Sequence, residues 1–157
     1  MSGRSVIQTA LLIGALSGVI VISPSANAAE TWATAPPMSM ACAYHTATLL
    51  RDGTVFVIGG DAGRIAGGAP TGPHKLALAE RYDLVAGRWR PAAPMLVSHT
   101  HHTAVLLPDG RFFIIGDYNT LDATMAELYD PVADRWTLAA VSPAKYGTAG
   151  AALPPNG

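Results

Sequence analysis

The chain has 157 residues, in which 10 lysines and arginines stand against 11 aspartates and glutamates, giving a formal net charge of −1. Because a nucleic-acid interface needs an excess of clustered positive charge, this balance excludes nucleic acid as an expected partner. The only cysteine, Cys42, cannot form a disulfide within the chain, and we expect it to be a small buried apolar residue.

The first 28 residues have the pattern of an export signal. Arg4 supplies a positive charge, residues 6–22 are almost uninterruptedly apolar, and residues 26–28 read Ala-Asn-Ala, a small-x-small cleavage site. We therefore predict a signal peptide over residues 1–28 and a mature protein in the periplasm or outside the cell, without membrane contact after cleavage. The alternative is a retained membrane anchor, because the apolar stretch is close to the minimum length that spans a bilayer.

The chain after this segment repeats itself. Residues 45–53 read His-Thr-Ala-Thr-Leu-Leu-Arg-Asp-Gly, and 57 positions later residues 102–110 read His-Thr-Ala-Val-Leu-Leu-Pro-Asp-Gly. Residues 153–157, Leu-Pro-Pro-Asn-Gly, begin a third copy. A repeat of about 50 residues indicates a module that buries its faces against copies of itself.

Each copy begins with a predicted β-hairpin. In the first copy an apolar run at residues 45–50 leads into Asp-Gly, and a second apolar run follows at residues 54–58. Glycine tolerates the positive φ that tight hairpin turns require. Because residues 54–58 and, in the second copy, residues 111–115 are apolar at nearly all successive positions, we expect the second strand of each copy to be buried on both faces.

Two further strands complete each copy. Ala-Glu-x-Tyr-Asp at residues 79–83 and 126–130 predicts a third strand, and Arg-Trp at residues 88–89 and 135–136 predicts a fourth. Each copy is thus a predicted four-stranded antiparallel meander, in which the glutamates are expected to form ordinary structural pairs with a nearby arginine. We assign structural roles to the residues that recur with the module, which are Gly53, Gly59, Gly60, Glu80, Tyr82, Trp89, Gly110, Gly116, Glu127, Tyr129 and Trp136.

These motifs resemble those of kelch-repeat proteins, in which a glycine pair follows the second strand, and a tyrosine and a tryptophan come later with six residues between them. The resemblance covers residues 32–157 and is to exported bacterial kelch proteins and to the central propeller domain of galactose oxidase. It implies an all-β fold of kelch-type β-propeller blades. Two residues depart from the pattern: Asp117 stands in place of the second glycine, and Leu84 in place of the proline found at Pro131.

The first and last residues of each repeat predict how many propeller blades the sequence contains. Within residues 29–157 we expect blade one at about 44–92, blade two at about 101–139 and the start of a further blade at 146–157. A propeller needs about four to eight blades, so two blades plus partial ones make an incomplete ring. We therefore expect the sequence to be a fragment of a longer chain, or several chains to assemble to close the ring.

Candidate ligand residues lie on one face of the predicted blades, opposite the Asp-Gly turns. Blade one carries an insertion within residues 61–77, and the connection into blade two, residues 96–102, contains three histidines. Long loops on a rigid scaffold are the usual place of binding residues, although an insertion can also be a tolerated flexible loop. The ligand-binding candidates are His45, Arg64, His74, His99, His101 and His102. We expect the pair His99 and His101 to share a strand face, so that a metal site there would need a third ligand, for which His74 on the insertion is the candidate. Because no third ligand is evident, we expect no metal and instead histidines that line the entrance of the channel.

The resemblance to galactose oxidase also implies where copper-radical chemistry would lie. Tyr44 stands where that family carries its radical tyrosine. The partner cysteine of that family is on a neighbouring blade, whereas Cys42 is two residues away, and the resemblance places the copper histidines on blades that this sequence lacks. We therefore expect no catalytic residue, no metal and no cofactor in this chain alone.

Two functions follow from these patterns. The first is an exported binding module for carbohydrate or protein. The second is part of an exported propeller enzyme, a galactose-oxidase-like copper oxidase or a sugar epimerase, whose catalytic residues lie outside this segment.

Overall fold

The computed structural model describes residues 11–13, 19–22, 32–62, 74–117 and 125–141. Within these ranges the secondary structure is all β, as the repeat pattern predicts. The strands are β1 (Leu11–Ile13), β2 (Val19–Ile22), β3 (Trp32–Thr34), β4 (Thr46–Leu49), β5 (Thr54–Ile58), β6 (Ala79–Asp83), β7 (Arg88–Pro91), β8 (Thr103–Leu106), β9 (Phe112–Ile115), β10 (Met125–Asp130) and β11 (Arg135–Val141).

The two repeats fold as two separate four-stranded antiparallel meanders. Strands β4 to β7 pair in chain order to form blade one, and strands β8 to β11 pair in chain order to form blade two. The tyrosine of β6 or β10 lies directly opposite the tryptophan of the next strand, as Tyr82 opposite Trp89 and Tyr129 opposite Trp136. The seven-position spacing from tyrosine to tryptophan is therefore that of two residues paired across neighbouring strands.

A third sheet is formed by β1, β2 and β3, which pair in that order. Its first two strands lie in the segment whose sequence predicts a signal peptide, so export and cleavage stay predictions. No helix long and apolar enough to cross a membrane is present in the described ranges. The start of a further blade at 146–157 lies outside the described residues.

The Asp-Gly turns join the first two strands of each blade. Gly53 has a φ of 82° and Gly110 a φ of 90°, values that favour glycine. In each turn the aspartate accepts a hydrogen bond from the amide two residues later, at 2.9 Å from both the Thr54 and the Arg111 nitrogen. The turns are thus fixed by their own sequence.

The main apolar core lies between the two blades. Phe56 and Ile58 of β5 pack against the side of blade two that carries Phe112 and Ile114, and all four side chains are fully buried. The other face of β5 packs in a second core with Met38, Cys42 and Tyr82. The sequence-based expectation of a strand buried on both faces is therefore confirmed for β5.

The equivalent strand of blade two is buried on one face only. Phe113 and Ile115 of β9, which correspond to Phe56 and Ile58 of β5, are half-buried. They lie on the side of blade two that faces away from blade one. The expectation of two buried faces is wrong for β9 within the described residues, because no described sheet packs on that side.

An arginine clamp joins the two blades at the end near the Asp-Gly turns. The Arg81 guanidinium lies 5.6 Å from the ring centre of Phe56 and 5.5 Å from that of Tyr129. It donates to the Tyr129 hydroxyl at 2.8 Å and to the Pro131 carbonyl at 3.0 Å, and it pairs with Asp52 at 3.3 Å. Arg81 therefore pairs with Asp52 and not with either recurring glutamate.

Candidate functional site

The two glycines that end β5 allow the connection into blade two to lie directly against the backbone. The Gly60 amide donates to the His99 carbonyl at 2.8 Å. A Cβ atom at Gly59 would lie less than 3 Å from that carbonyl oxygen and from the His102 ring, and one at Gly60 would lie less than 3 Å from the Ala43 carbonyl. Both glycines also have positive φ. The glycine pair is therefore required by close approach as well as by backbone conformation.

Glu127 holds the connection of residues 96–102 in place from blade two. Its fully buried carboxylate accepts hydrogen bonds from the amides of Leu96 at 2.8 Å and Val97 at 2.9 Å. The ring of His99 is also fully buried, with Nε2 at 3.2 Å from the Glu127 carboxylate and Nδ1 donating to the Gly116 carbonyl at 2.9 Å. The predicted glutamate–arginine pair is wrong here, because the partners of Glu127 are two backbone amides and a histidine.

Glu80 has the equivalent position in blade one. Its carboxylate accepts a hydrogen bond from the Ser39 amide, at 3.2 and 3.3 Å from its two oxygens. Ser39 precedes blade one by the same distance as Leu96 precedes blade two. The recurring glutamate thus anchors the incoming segment of each blade, and again its partner is not an arginine.

His99 and His101 do not share a strand face. Strand β8 begins only at Thr103, and His101 has a φ of 55°, so that the chain bends sharply before the strand. His99 is fully buried while His101 is half-buried at the surface. The expectation of a shared face is wrong because the bend turns the two side chains in different directions.

His102 is a buried neutral histidine. Its Nε2 lies 2.8 Å from the Thr46 hydroxyl of blade one, and its Nδ1 has no hydrogen-bond partner in the described part of the chain. Burial and, to a smaller extent, the nearby His99 lower the pKa of His102 from 6.5 to about 3. His45, its equivalent in blade one, also has a lowered pKa through burial, and its Nδ1 lies 3.5 Å from the Cys42 sulfur.

Acid should therefore destabilise the protein through His102. Since the pKa of His102 is lower in the folded state than in the unfolded state, unfolding takes up a proton below pH 6.5. We expect the free energy of unfolding to fall from pH 6.5 towards pH 3, by roughly 4 kcal/mol from this residue. Urea denaturation across this range would measure the slope. His102→Gln should flatten it, and an unchanged slope in that variant would contradict the assignment.

The exposed ring of Tyr44 stacks on the half-buried ring of His101. The ring centres of Tyr44 and His101 are 3.8 Å apart with an angle of 20° between the planes, and the His101 amide donates to the Tyr44 carbonyl at 3.1 Å. The two residues occupy equivalent positions, each directly before the His-Thr-Ala motif of its repeat. Both adopt positive φ, and Tyr44 is 44% exposed. Neighbouring blades thus present one aromatic pair on this face.

Charged residues lie beside the aromatic pair. Asp61 forms backbone bridges to Ala43 on one side and to Lys75 on the other. The Lys75 ammonium pairs with the fully buried carboxylate of Asp117, which also accepts a hydrogen bond from the Thr100 amide at 3.3 Å. Asp117 stands where the first repeat has the second glycine of its pair. This difference between the repeats is the feature of the sequence that indicates a separate role for Asp117.

Most of the predicted ligand residues lie on one face of the two blades. Two of them, His99 and His102, are buried and not accessible to a ligand. The glycine pair is bordered by His45, His99 and His102, whereas His101 stacks on Tyr44. His74 lies on the neighbouring segment, where its carbonyl accepts a hydrogen bond from the Ala62 amide. Arg64 lies outside the described residues. Sequence reasoning did not select Lys75 or Asp117.

The described residues do not fit a copper centre. No group of three or more histidine, cysteine, aspartate or glutamate side chains in the described ranges is arranged to hold a metal ion. Burial and the nearby Glu80 carboxylate raise the pKa of the Cys42 thiol to about 11, so that this sulfur is not a ready thiolate ligand. Cys42 also lies on the same segment as Tyr44 and not on a neighbouring blade.

Comparison with known proteins identifies the repeat and the fold. Residues 42–96 match the family model of the Kelch motif. A novel fungal alcohol oxidase of the AA5 family, solved in complex with copper, is 17% identical with a TM-score of 0.69, and the match covers 87% of this chain and 30% of that one. The structure of YjhT is 13% identical with a TM-score of 0.65, and the match covers 81% of this chain and 45% of that one.

No curated protein matched the sequence. At these identities the similarity to solved structures concerns the fold alone. The chain spans less than half the length of either of these two structures.

Proposed function

Because this chain consists of kelch-type β-propeller blades, we propose that it acts as a binding module for a carbohydrate or protein ligand. The ligand face is formed by residues 43–45, 61–62, 74–76 and 96–102. The proposal includes export by residues 1–28 to the periplasm or beyond, and closure of the ring by further blades from a longer chain or from other subunits.

One observation carries this proposal. The connection of residues 96–102 is fixed to blade two by Glu127 and to blade one by Gly60, so that its surface residues are held at defined positions. The opposite face ends in short Asp-Gly turns that are closed on themselves. Binding residues are usually carried on loops that a rigid scaffold positions, and among the described residues only the first face has such loops.

Hydrogen exchange can test the face directly. The purified full chain would be screened on an array of neutral and acidic oligosaccharides, and the exchange of its amides would be measured with and without the strongest binder. We expect slower exchange at residues 43–45, 61–62, 74–76 and 96–102, with the turns at 51–53 and 108–110 unchanged as the internal control. Protection at the turns instead would contradict the proposed face.

The alternative is that the chain is part of an exported propeller enzyme, a copper oxidase or a sugar epimerase. The fold similarity to an alcohol oxidase supports it, as does the position of Tyr44 in the repeat. Its catalytic residues would lie outside this segment, since the described residues do not fit copper. Copper bound at one equivalent by a protein that contains this segment together with the further blades would favour this alternative over the binding module.

A further inference from the structure

We propose that the buried pair of His99 and Glu127 holds an extra proton at neutral pH and is a proton-dependent latch for the connection of residues 96–102. The latch is an imidazolium ion held by a carboxylate, and loss of the hydrogen on Nε2 releases the connection from blade two. The inference concerns the connection itself and does not rest on the ligand proposed above. It is carried by the hydrogen bonds of the two side chains and by a comparison with blade one.

Both ring nitrogens of His99 face oxygen atoms. Nδ1 lies 2.9 Å from the Gly116 carbonyl oxygen, and because a carbonyl has no hydrogen to donate, Nδ1 carries one. Nε2 lies 3.2 Å from a carboxylate oxygen of Glu127. A neutral imidazole has a single N–H, so with Nδ1 as the donor it would turn the lone pair of Nε2 towards the carboxylate. A second ring hydrogen, on Nε2, removes this repulsion.

The surroundings of Glu127 favour the proton on the histidine and not on the carboxylate. The two oxygens of Glu127 accept hydrogen bonds from the amides of Leu96, at 2.8 Å, and Val97, at 2.9 Å. Amides that donate to a carboxylate stabilise its ionised form. Because the ring and the carboxylate are both fully buried, each is the counter-ion that the other requires.

The histidine next to this pair has the opposite charge state. The ring centres of His99 and His102 are 5.9 Å apart, and burial together with the His99 charge lowers the pKa of His102 to about 3. A positive His99 beside a neutral His102 avoids two buried like charges at short distance. The other titratable groups around this pair of histidines in the described residues are His45, His101 and Asp117, and Asp117 is paired with Lys75.

Blade one has the same anchor without a histidine. Glu80 accepts a hydrogen bond from the Ser39 amide, and Cys42 stands at the position that corresponds to His99. Burial and the Glu80 carboxylate raise the pKa of the Cys42 thiol to about 11, so that the thiol is uncharged where a histidine titrates. Of the two described blades, blade two alone couples its incoming segment to a histidine proton.

Nitrogen-15 NMR of the histidine rings in the full chain tests the charged pair. The His99 signals are assigned by their loss in His99→Gln. At pH 7 we expect hydrogens on both ring nitrogens of His99. In Glu127→Gln we expect a hydrogen on Nδ1 only, because the glutamine amide can donate to the lone pair of Nε2. Glu80→Gln is the matched control and should leave His99 with both hydrogens. A wild-type Nε2 without hydrogen at pH 7 overturns the proposal.

Amide exchange in the wild-type chain tests the latch. Between about pH 6 and pH 10, we expect exchange at Leu96 and Val97 to become about tenfold faster relative to Ser39 once Nε2 has lost its hydrogen. Ser39 is the internal control, because its anchor in blade one has no histidine and base speeds the exchange of all amides. An unchanged ratio to Ser39 overturns the latch. A ring that keeps both hydrogens through this range overturns the latch as well, but confirms the charged pair.

Discussion

Replacing Gly59 by alanine should lower the free energy of unfolding by about 4 kcal/mol or more, or prevent folding. The new Cβ would lie less than 3 Å from the His99 carbonyl oxygen, which is backbone, and from the ring of His102. The His99 carbonyl cannot move without breaking its hydrogen bond from the Gly60 amide. The positive φ of 65° at Gly59 adds strain for any residue with a side chain.

Gly53→Ala is the matched control for this variant. Gly53 also has a positive φ, 82°, but a Cβ there would meet nothing within 4 Å. We expect this change to lower the free energy of unfolding by only about 1–2 kcal/mol, the strain of the backbone alone. Urea denaturation followed by tryptophan fluorescence would compare the two. Equal losses in both variants would show that the close approach at Gly59 contributes nothing.

The second large effect is expected at Glu127. Replacing it by alanine should lower the free energy of unfolding by about 3–5 kcal/mol, because two buried amides lose their acceptor and the buried ring of His99 loses the carboxylate that lies 3.2 Å from its Nε2. The connection of residues 96–102 should also lose its fixed path. Amide exchange at Leu96 and Val97 should therefore become faster in this variant, even under conditions where the chain remains folded.

Glu80→Ala is the corresponding change in blade one. Within the described ranges Glu80 accepts a hydrogen bond from a single amide, that of Ser39, so we expect a loss of about 1–2 kcal/mol. Glu80 and Glu127 are the same residue type at the same position of the repeat. The ratio of the two losses in the free energy of unfolding therefore tests whether the loss depends on the number of hydrogen bonds that each carboxylate accepts. A larger loss for Glu80→Ala would overturn the anchor role assigned to Glu127.

The fold could be predicted from the sequence because its determinants are local. The Asp-Gly turns bond within themselves, and the seven-position step from Tyr82 to Trp89 crosses one hairpin. The pattern of apolar residues along a strand then indicates which of its faces are buried. In β5, Phe56 and Ile58 lie two positions apart on one buried face. The half-buried face of β9 could not be predicted, because burial there depends on what packs against blade two and not on the strand itself.

The candidate site was predicted in location but not in detail. The sequence indicates which loops share a face, and the histidines of residues 96–102 do lie there. It does not indicate that His99 turns inward to Glu127, 28 positions away, since that contact depends on the path of the connection. Nor does any glycine signal the positive φ of Tyr44 and His101, since both positions carry a side chain.

The arginine clamp makes the two repeats non-interchangeable, although they share the same sequence motifs. Arg81 donates hydrogen bonds to the Tyr129 hydroxyl and the Pro131 carbonyl of the following blade, whereas the equivalent position of blade two is Leu128, which cannot donate from its side chain. A chain built from two copies of the second repeat would leave that hydroxyl and carbonyl without their cation. The order of the blades is therefore specified at the junction itself, so that exchanging or duplicating repeats would require the junction residues to be changed with them.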